Sequence, residues 1–438
     1  MDQLLDPVFL SRIQFAFVVS FHAVFPVFSI GMASFIALLQ AFHYSTQNPV
    51  YERLALFWTK IFALAFGMGV VSGIVMSFQF GTNWSAFSYA TANFLGPMLG
   101  YEVVTAFFLE AAFLGVLLFG RDKVTPGTHL FAACMVALGT FISSFWILSA
   151  NSWLHTPAGV EVINGMYVIR DWSEAIFNPS FPYRFSHMVL ASFLTGAFVV
   201  AGVSSWFLLQ KRDTDAHRTA LNLCMWLILI LAPAQVLMGD LHGLNTLEHQ
   251  PTKVAAMEGN WHTDSHVPLL LFAIPDQEEQ KNHLEVGIPN LASIILKHDP
   301  AGVVPGITES KPEHQPWVFG VFWSFRVMVG IGMLMVLTAV VGLYLRWKRK
   351  LYDTEWFHRA LIWMIPAPFV AVLSGWFVTE IGRSPWLVYG MMTHTEGITQ
   401  SVSTAMVLTT LIGYVTIYAV VYTFGMKYIF ETVKKGIQ

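Results

Sequence analysis

Hydrophobic positions in this chain run in blocks of about twenty or more residues, not at the spacing of a one-faced helix or strand. A helix that is apolar all round belongs in lipid, and a bilayer crossing takes about 20 such residues. Nine blocks meet that length: 12–42, 55–78, 96–119, 127–150, 187–209, 218–238, 318–345, 358–380 and 401–426. The predicted fold class is therefore an all-α polytopic membrane protein with nine transmembrane helices. The first block is long enough to begin or end outside the hydrocarbon. It does not read as a cleaved signal peptide, because no basic segment precedes it and no small-residue cleavage site follows. Three regions result: 1–238 with spans 1 to 6, a polar, His-rich connection over 239–317, and 318–438 with spans 7 to 9. A connection of that length is usually functional or disordered. No internal repeat or low-complexity tract is present.

Lysine and arginine set the predicted orientation, since cytoplasmic loops are enriched in them. One set of connections carries Arg121 and Lys123; Lys211, Arg212 and Arg218; Arg346, Lys348, Arg349, Lys350 and Arg359; and Lys427, Lys434 and Lys435. The other set is poor in them: 79–95 has none and 381–400 has only Arg383. With alternating loops this places the N-terminus outside, the C-terminus in the cytoplasm and 239–317 outside.

Composition narrows the class. Hydrophobic residues make up 55% and charged residues 12% of the 438, about half the usual charge content of a soluble domain. A soluble globular enzyme, a disordered chain and a nucleic-acid binder with a basic stripe are excluded. The net charge of −3 adds little. The two cysteines, Cys134 and Cys224, lie inside apolar runs. They exclude a disulfide framework, a cysteine-ligated zinc site, an iron–sulfur cluster and covalent haem attachment.

Ionisable residues inside spans cost roughly 2.5–3.5 kcal/mol each and call for an explanation. They include His22 in span 1, Glu102 and Glu110 in span 3, His187 opening span 5, Arg326 in span 7 and Glu380 closing span 8, with Asp240 at the outer end of span 6. By the predicted orientation all of these but Glu110 lie in the outer half, as does Met328, about ten residues into span 7. Glu110 is eight residues below Glu102, roughly 12 Å deeper, and eight steps of about 100° leave it about 80° round the axis, on the same side of the helix. Span 3 is thus expected to carry a vertical ladder of two carboxyls. Singly, each residue has a plain alternative: a hydrogen-bonded core histidine, a packing methionine, a glutamate paired with Arg326 or Arg383. The histidine count excludes a bis-histidine cytochrome b and a haem–copper oxidase. Several haems here would require carboxylate or thioether ligands, and ligand identity is one of the levers on haem potential.

Six stretches make the residues recognisable: LSRIQFAFVVSFH at 10–22, FQFGTNWS at 78–85, AFFLE at 106–110, ILSANSW at 147–153, FRVM at 325–328 and GWFVTEIGRSPW at 375–386. Over essentially its whole length the chain resembles subunit I of the cytochrome bd-type quinol oxidases. The resemblance implies reduction of O2 to water with electrons from quinol, in a bacterial inner membrane, with three haems and no copper. It implies that His22 ligates one high-spin haem and Glu380 the other, in an order left open. His187 and Met328 match the axial pair of a low-spin haem b, with Arg326 near that haem. Glu102 matches a glutamate beside the oxygen-reducing haem, and Arg383 and Trp376 match residues of the haem-pair region. Lys253 and Glu258 match positions implicated in quinol oxidation, in a loop of the shorter kind reading GDLHGLNTLEHQPTKVAAMEGNW. Its histidines and composition resemble the cyanide-insensitive branch, so the third haem is either haem d or a further b-type haem. The implied partners are a second large integral-membrane subunit and, often, a small single-span one.

From these positions, quinol oxidation is expected at the outer face, with Glu258 taking a hydroxyl proton and Lys253 positioning a ring oxygen. Glu102 and Glu110, with Ser143 and Ser144, are the expected part of a cytoplasmic proton path. Two rival classes make different predictions: a transporter or channel would be colourless, and an electron-transfer subunit would carry haem unreactive to CO.

Overall fold

The structure is a computed structural model and describes residues 6–437. Among those residues nine helical segments are long and apolar enough to cross a membrane. They are α1 (Pro7–Thr46), α2 (Pro49–Thr82), α3 (Ala92–Phe119), α4 (Pro126–His155), α5 (Phe181–Leu209), α6 (Thr214–His249), α7 (Val318–Trp347), α8 (Glu355–Ile381) and α9 (Thr404–Lys435). Each overlaps one predicted span. Three of them open the same way. Asp6, Asn48 and Thr125 accept a backbone N–H of the first turn, and a proline follows at the first helical position. That combination satisfies orphan donors and presets φ.

Most helix ends overrun the predicted edges, while α9 starts at Thr404, three residues inside its own. Hydropathy marks only the stretch without polar side chains, whereas a helix continues through polar turns that find partners. The largest overrun is at α6, which runs to His249, eleven residues past the predicted boundary at 238. Asn245 there donates to the Pro179 carbonyl at 3.2 Å, and the Thr246 hydroxyl bonds the His242 carbonyl at 2.8 Å. The region predicted as the start of a loop is thus three further helical turns, and the loop proper begins at Gln250.

Two helices are interrupted. α8 consists of Glu355–Trp363 and Ala367–Ile381, separated at Pro366, whose ring cannot continue a helix. α3 contains a π-helical turn over Val103–Phe107. α1 and α5 cross backbone to backbone at Gly31 and Gly196. A Cβ on Gly196 would stand 3.1 Å from the Gly31 Cα, so only small residues allow the approach. This crossing fixes the helices that carry His22 and His187.

Alternation of the nine segments gives the bundle two ends. Connections 120–125, 210–213 and 348–354 form a basic face. Connections 83–91, 156–180, 250–317 and 382–403 form the loop face. The loop face is folded. β1 (Val160–Ile163) and β2 (Met166–Ile169) pair antiparallel around Asn164–Gly165, both at positive φ, as a tight hairpin turn requires. The 250–317 segment contains a helix Pro251–Glu258, a second hairpin of β3 (Leu269–Asp276) and β4 (Lys281–Ile288), and a helix Leu291–Lys297. Val254, Trp261, Val267, Val304, Ile307, Val318 and Val378 form its own apolar core against α7 and α8. The main core, with Met32, Ile36, Trp58, Phe62, Phe198, Phe207 and Ile228, lies between α1, α2, α5 and α6.

Candidate functional site

His22, Glu102, His187, Met328 and Glu380 all lie in the half of the bundle nearer the loop face. His22 faces α2. Its Nδ1 is 2.9 Å from the Ser72 hydroxyl, which donates its own proton to the Gly69 carbonyl at 2.9 Å. A hydroxyl has one proton to give, so His22 Nδ1–H must be the donor and Nε2 keeps its lone pair free. That is how an outer partner orients a histidine toward a metal. Gly73 lies across from the ring, where any Cβ would come within 3.0 Å of His22 Cε1.

The same device recurs at the second pair. A Cβ on Gly239 of α6 would approach His187 Cε1 to 3.4 Å, and one on Gly375 of α8 would approach Met328 Sδ to 3.0 Å. Each of the three candidate ligands therefore packs directly on a glycine, whose missing side chain makes room for the ligand side chain itself. His187 Nε2 is 3.2 Å from the Gln235 amide nitrogen, while His187 Nδ1 and Gln235 Oε1 are buried without a partner. Buried polar atoms are rarely left so.

Around Glu380 the chain gathers charge. Arg383 donates to Glu380 Oε2. Asn151 Nδ2 donates to Oε1 at 3.1 Å, and the Asn151 side-chain oxygen Oδ1 accepts from Arg184. His155 Nε2 stands 3.6 Å from Glu380 Oε1, and Lys253 Nζ is 3.1 Å from His155 Nδ1. The cluster thus holds Arg184, Arg383 and Lys253 against a single carboxylate. Arg383 Nε and Nη1 and Arg184 Nε are buried with no acceptor. Unpaired buried cations are costly, so the cluster fits the anionic carboxylates of a haem. Trp376, one turn before Glu380, has a buried indole N–H without a partner. The donor set, the glycine-faced ligands and the cation surplus all suit iron porphyrin.

Lys253 and Glu258 are not a solvated loop pair. Both lie in the helix Pro251–Glu258 and both are buried. Five helical steps turn them about 140° apart, so they engage different partners. Lys253 enters the Glu380 cluster, where burial and the charges of Arg184 and Arg383 hold its ammonium well below the usual lysine range. Glu258 Oε2 accepts from Arg326 Nη2 at 2.8 Å, with both side chains at or below 10% exposure. Arg326 also donates to the Leu270 carbonyl of β3, and its guanidinium lies 4.6 Å from the Phe322 ring centroid. The expected Arg326 is therefore a clamp on Glu258, two residues from Met328.

On α3, Glu102 Oε1 accepts from Ser143 at 2.8 Å, and Glu110 packs its Cγ against Gly139. Ser143 and Gly139 are one turn apart on α4, so both carboxyls do face one stripe of that helix. The reason differs from a plain helical count. Two α-turns take about 7.2 residues, and the π-turn at Val103–Phe107 absorbs the extra one. Ser144 does not join them, because its hydroxyl bonds the Phe141 carbonyl at 2.9 Å. Glu110 Oε1 is buried without a partner.

Three residues of the Glu380 cluster escaped the sequence reading. Asn151 lies in the ILSANSW stretch but has no charge to mark it. Arg184 and His155 lie beyond the apolar blocks, where an ionisable side chain looks ordinary. Only the fold buries them.

A profile of the cytochrome bd terminal oxidase subunit I family matches residues 10–437. The cytochrome bd ubiquinol oxidase subunit 1 of Bacillus subtilis is 35% identical, over 98% of this chain and 94% of its own. The cytochrome bd-II ubiquinol oxidase subunit 1 of Escherichia coli is 30% identical, over 88% of each. The bd oxidase structure from Geobacillus thermodenitrificans superposes with a TM-score of 0.91 at 32% identity, covering 98% of this chain and 99% of that one. The chain therefore belongs to the cytochrome bd terminal oxidase subunit I family, as a multi-pass subunit of a bacterial inner-membrane respiratory oxidase that carries haem and acts with a second subunit.

Proposed function

We propose that this subunit oxidises quinol at its loop face and delivers the electrons to oxygen, which it reduces to water with protons drawn from the basic face. The Lys/Arg distribution supports a cytoplasmic basic face and an outer N-terminus. Protons leaving quinol outside and protons taken from inside would together build a proton-motive force without copper.

His187 and Met328 would hold a low-spin haem b, and His22 and Glu380 would hold the two high-spin haems. One of these is a b-type haem and the other haem d or a third b-type haem. When bound, these groups supply one-electron transfer and the place where oxygen is reduced. The chain's own residues do the rest. Ser72 fixes the His22 tautomer. Arg184 and Arg383 supply N–H donors for haem carboxylates, and Trp376 packs beside Glu380. A thioether ligand such as Met328 raises a haem's potential, which favours that site as first electron acceptor.

Glu258 is the proposed acceptor of a quinol hydroxyl proton. Arg326 engages its Oε2 and leaves Oε1 for substrate. Lys253 keeps N–H groups for a ring oxygen beyond the one it gives to His155. Glu102 and Glu110, both turned to α4, are proposed as carboxyl steps of the inward proton path; a carboxyl in an apolar setting can relay a proton in its neutral form. The loop's histidines favour the cyanide-insensitive branch, to be tested by cyanide titration of oxygen uptake. A small single-span subunit is the further partner proposed.

The observation that carries this reading is the buried cation surplus around Glu380 beside three glycine-faced candidate ligands. The test is a reduced-plus-CO difference spectrum of the purified complex, followed by quinol-dependent oxygen uptake. A colourless protein would leave a transporter or channel, and haem without CO reactivity an electron-transfer subunit.

A further inference from the structure

The Glu380 cluster and the quinol-loop helix meet at one residue. His155 ends α4 and is 1% exposed. Its carbonyl accepts from Gln250 Nε2 at 3.0 Å, at the residue that precedes the helix Pro251–Glu258. Its ring Nδ1 takes Lys253 Nζ at 3.1 Å. Its Nε2 points at Glu380 Oε1 from 3.6 Å and has no hydrogen-bond partner of its own. With Lys253 donating to Nδ1, the ring proton sits on Nε2, so an N–H dipole is aimed at the carboxylate.

We propose that His155 is a positioning residue that ties the quinol-side lysine to the haem-side carboxylate, setting the place of Lys253 with one ring nitrogen and the electron donation of Glu380 with the other. This rests on the reading of Glu380 as a haem ligand and of Lys253 as facing quinol. The neighbourhood favours such a tie. Lys253 sits beside Arg184 and Arg383, which repel it, and Glu380, which attracts it, so a neutral acceptor at His155 Nδ1 helps set its place among them. Glu380 receives Arg383 and Asn151 from two other directions, and a third N–H dipole further withdraws charge from it. Outer partners of this kind orient ligands and tune the metal, and losing one typically costs 10- to 100-fold.

The test uses the purified complex with its partner subunit and three variants: His155→Leu, His155→Gln and Lys253→Met. His155→Leu is expected to raise the quinol KM about tenfold. It should also lower the midpoint potential of the haem whose spectrum depends on Glu380, because a carboxylate relieved of an N–H dipole donates more strongly. His155→Gln offers an amide oxygen to Lys253 and an amide N–H to Glu380, and should restore both properties, including haem loading if the leucine variant assembles poorly. In a Lys253→Met background, His155→Leu should no longer change KM but should still lower the potential. Wild-type KM and potential in His155→Leu would overturn the proposal. So would a glutamine variant no better than leucine, or a KM effect that persists without Lys253. The ligand reading stands or falls separately, on whether Glu380→Ala alters the haem spectrum at all.

Discussion

Replacing Glu258 by glutamine isolates the proposed proton acceptor from the structure around it. The carboxylate and Arg326 form a nearly dry pair, 2.8 Å apart, with side chains 6% and 10% exposed. Deleting one partner of such a pair strands the other and costs about 3–5 kcal/mol, so an alanine variant mixes stability with chemistry. Glutamine keeps an oxygen for Arg326 Nη2. The bond stays charge-assisted through the guanidinium, in the range of about 1.5–3 kcal/mol, so what is lost is the ion pairing and not the contact. Arg326 also keeps its bond to the Leu270 carbonyl. The fold and the low-spin haem should therefore persist. The amide, however, cannot take up a proton. General-base assistance contributes roughly 10²–10⁴-fold, and kcat for quinol-dependent oxygen uptake should fall within that range while KM changes much less. The assay is steady-state oxygen consumption with a soluble quinol, alongside the reduced-minus-oxidised spectrum. Wild-type kcat in Glu258→Gln with an unaltered spectrum would refute the assignment.

The remaining predictions concern other parts of the site. Glu110→Gln should slow turnover and leave the haem spectrum intact; an unchanged rate removes Glu110 from the proton path. Gly139→Ala should do the same by driving a methyl group into the Glu110 Cγ contact, and it should also lower thermal stability, measured by fluorescence melting. Met328→Leu should disturb only the low-spin spectrum. Lys253→Met should remove a pH-dependent penalty. Burial and two arginines depress the lysine, so between that depressed value and about 10.4 the folded protein binds fewer protons there than the unfolded chain, and stability rises with pH. The methionine variant should show a flatter melting-temperature rise from neutral to alkaline pH, and an identical slope would contradict it.

Much of this arrangement is legible in the sequence, for physical reasons. Nine apolar blocks announce nine helices because lipid tolerates little else. Ionisable residues within those blocks announce a site because their burial must be compensated. Legibility fails where burial is created by the fold. His155 and Arg184 lie just outside the apolar blocks and Lys253 in the polar connection, where an ionisable side chain is ordinary, yet the fold buries all three. The α6 overrun is missed for a related reason, since its polar turns are held by contacts distant in sequence, such as Asn245 with Pro179. The shared face of Glu102 and Glu110 depends on a π-turn that no composition rule marks.

The account rests on Glu380 and His22 holding the oxygen-reducing haems apart from the His187–Met328 site. The most direct measurement is the reduced-plus-CO difference spectrum of the purified complex carrying Glu380→Ala, compared with the unmodified complex. The account predicts that part of the CO-reactive absorbance disappears while the low-spin band remains. A CO spectrum identical to that of the unmodified complex would contradict it.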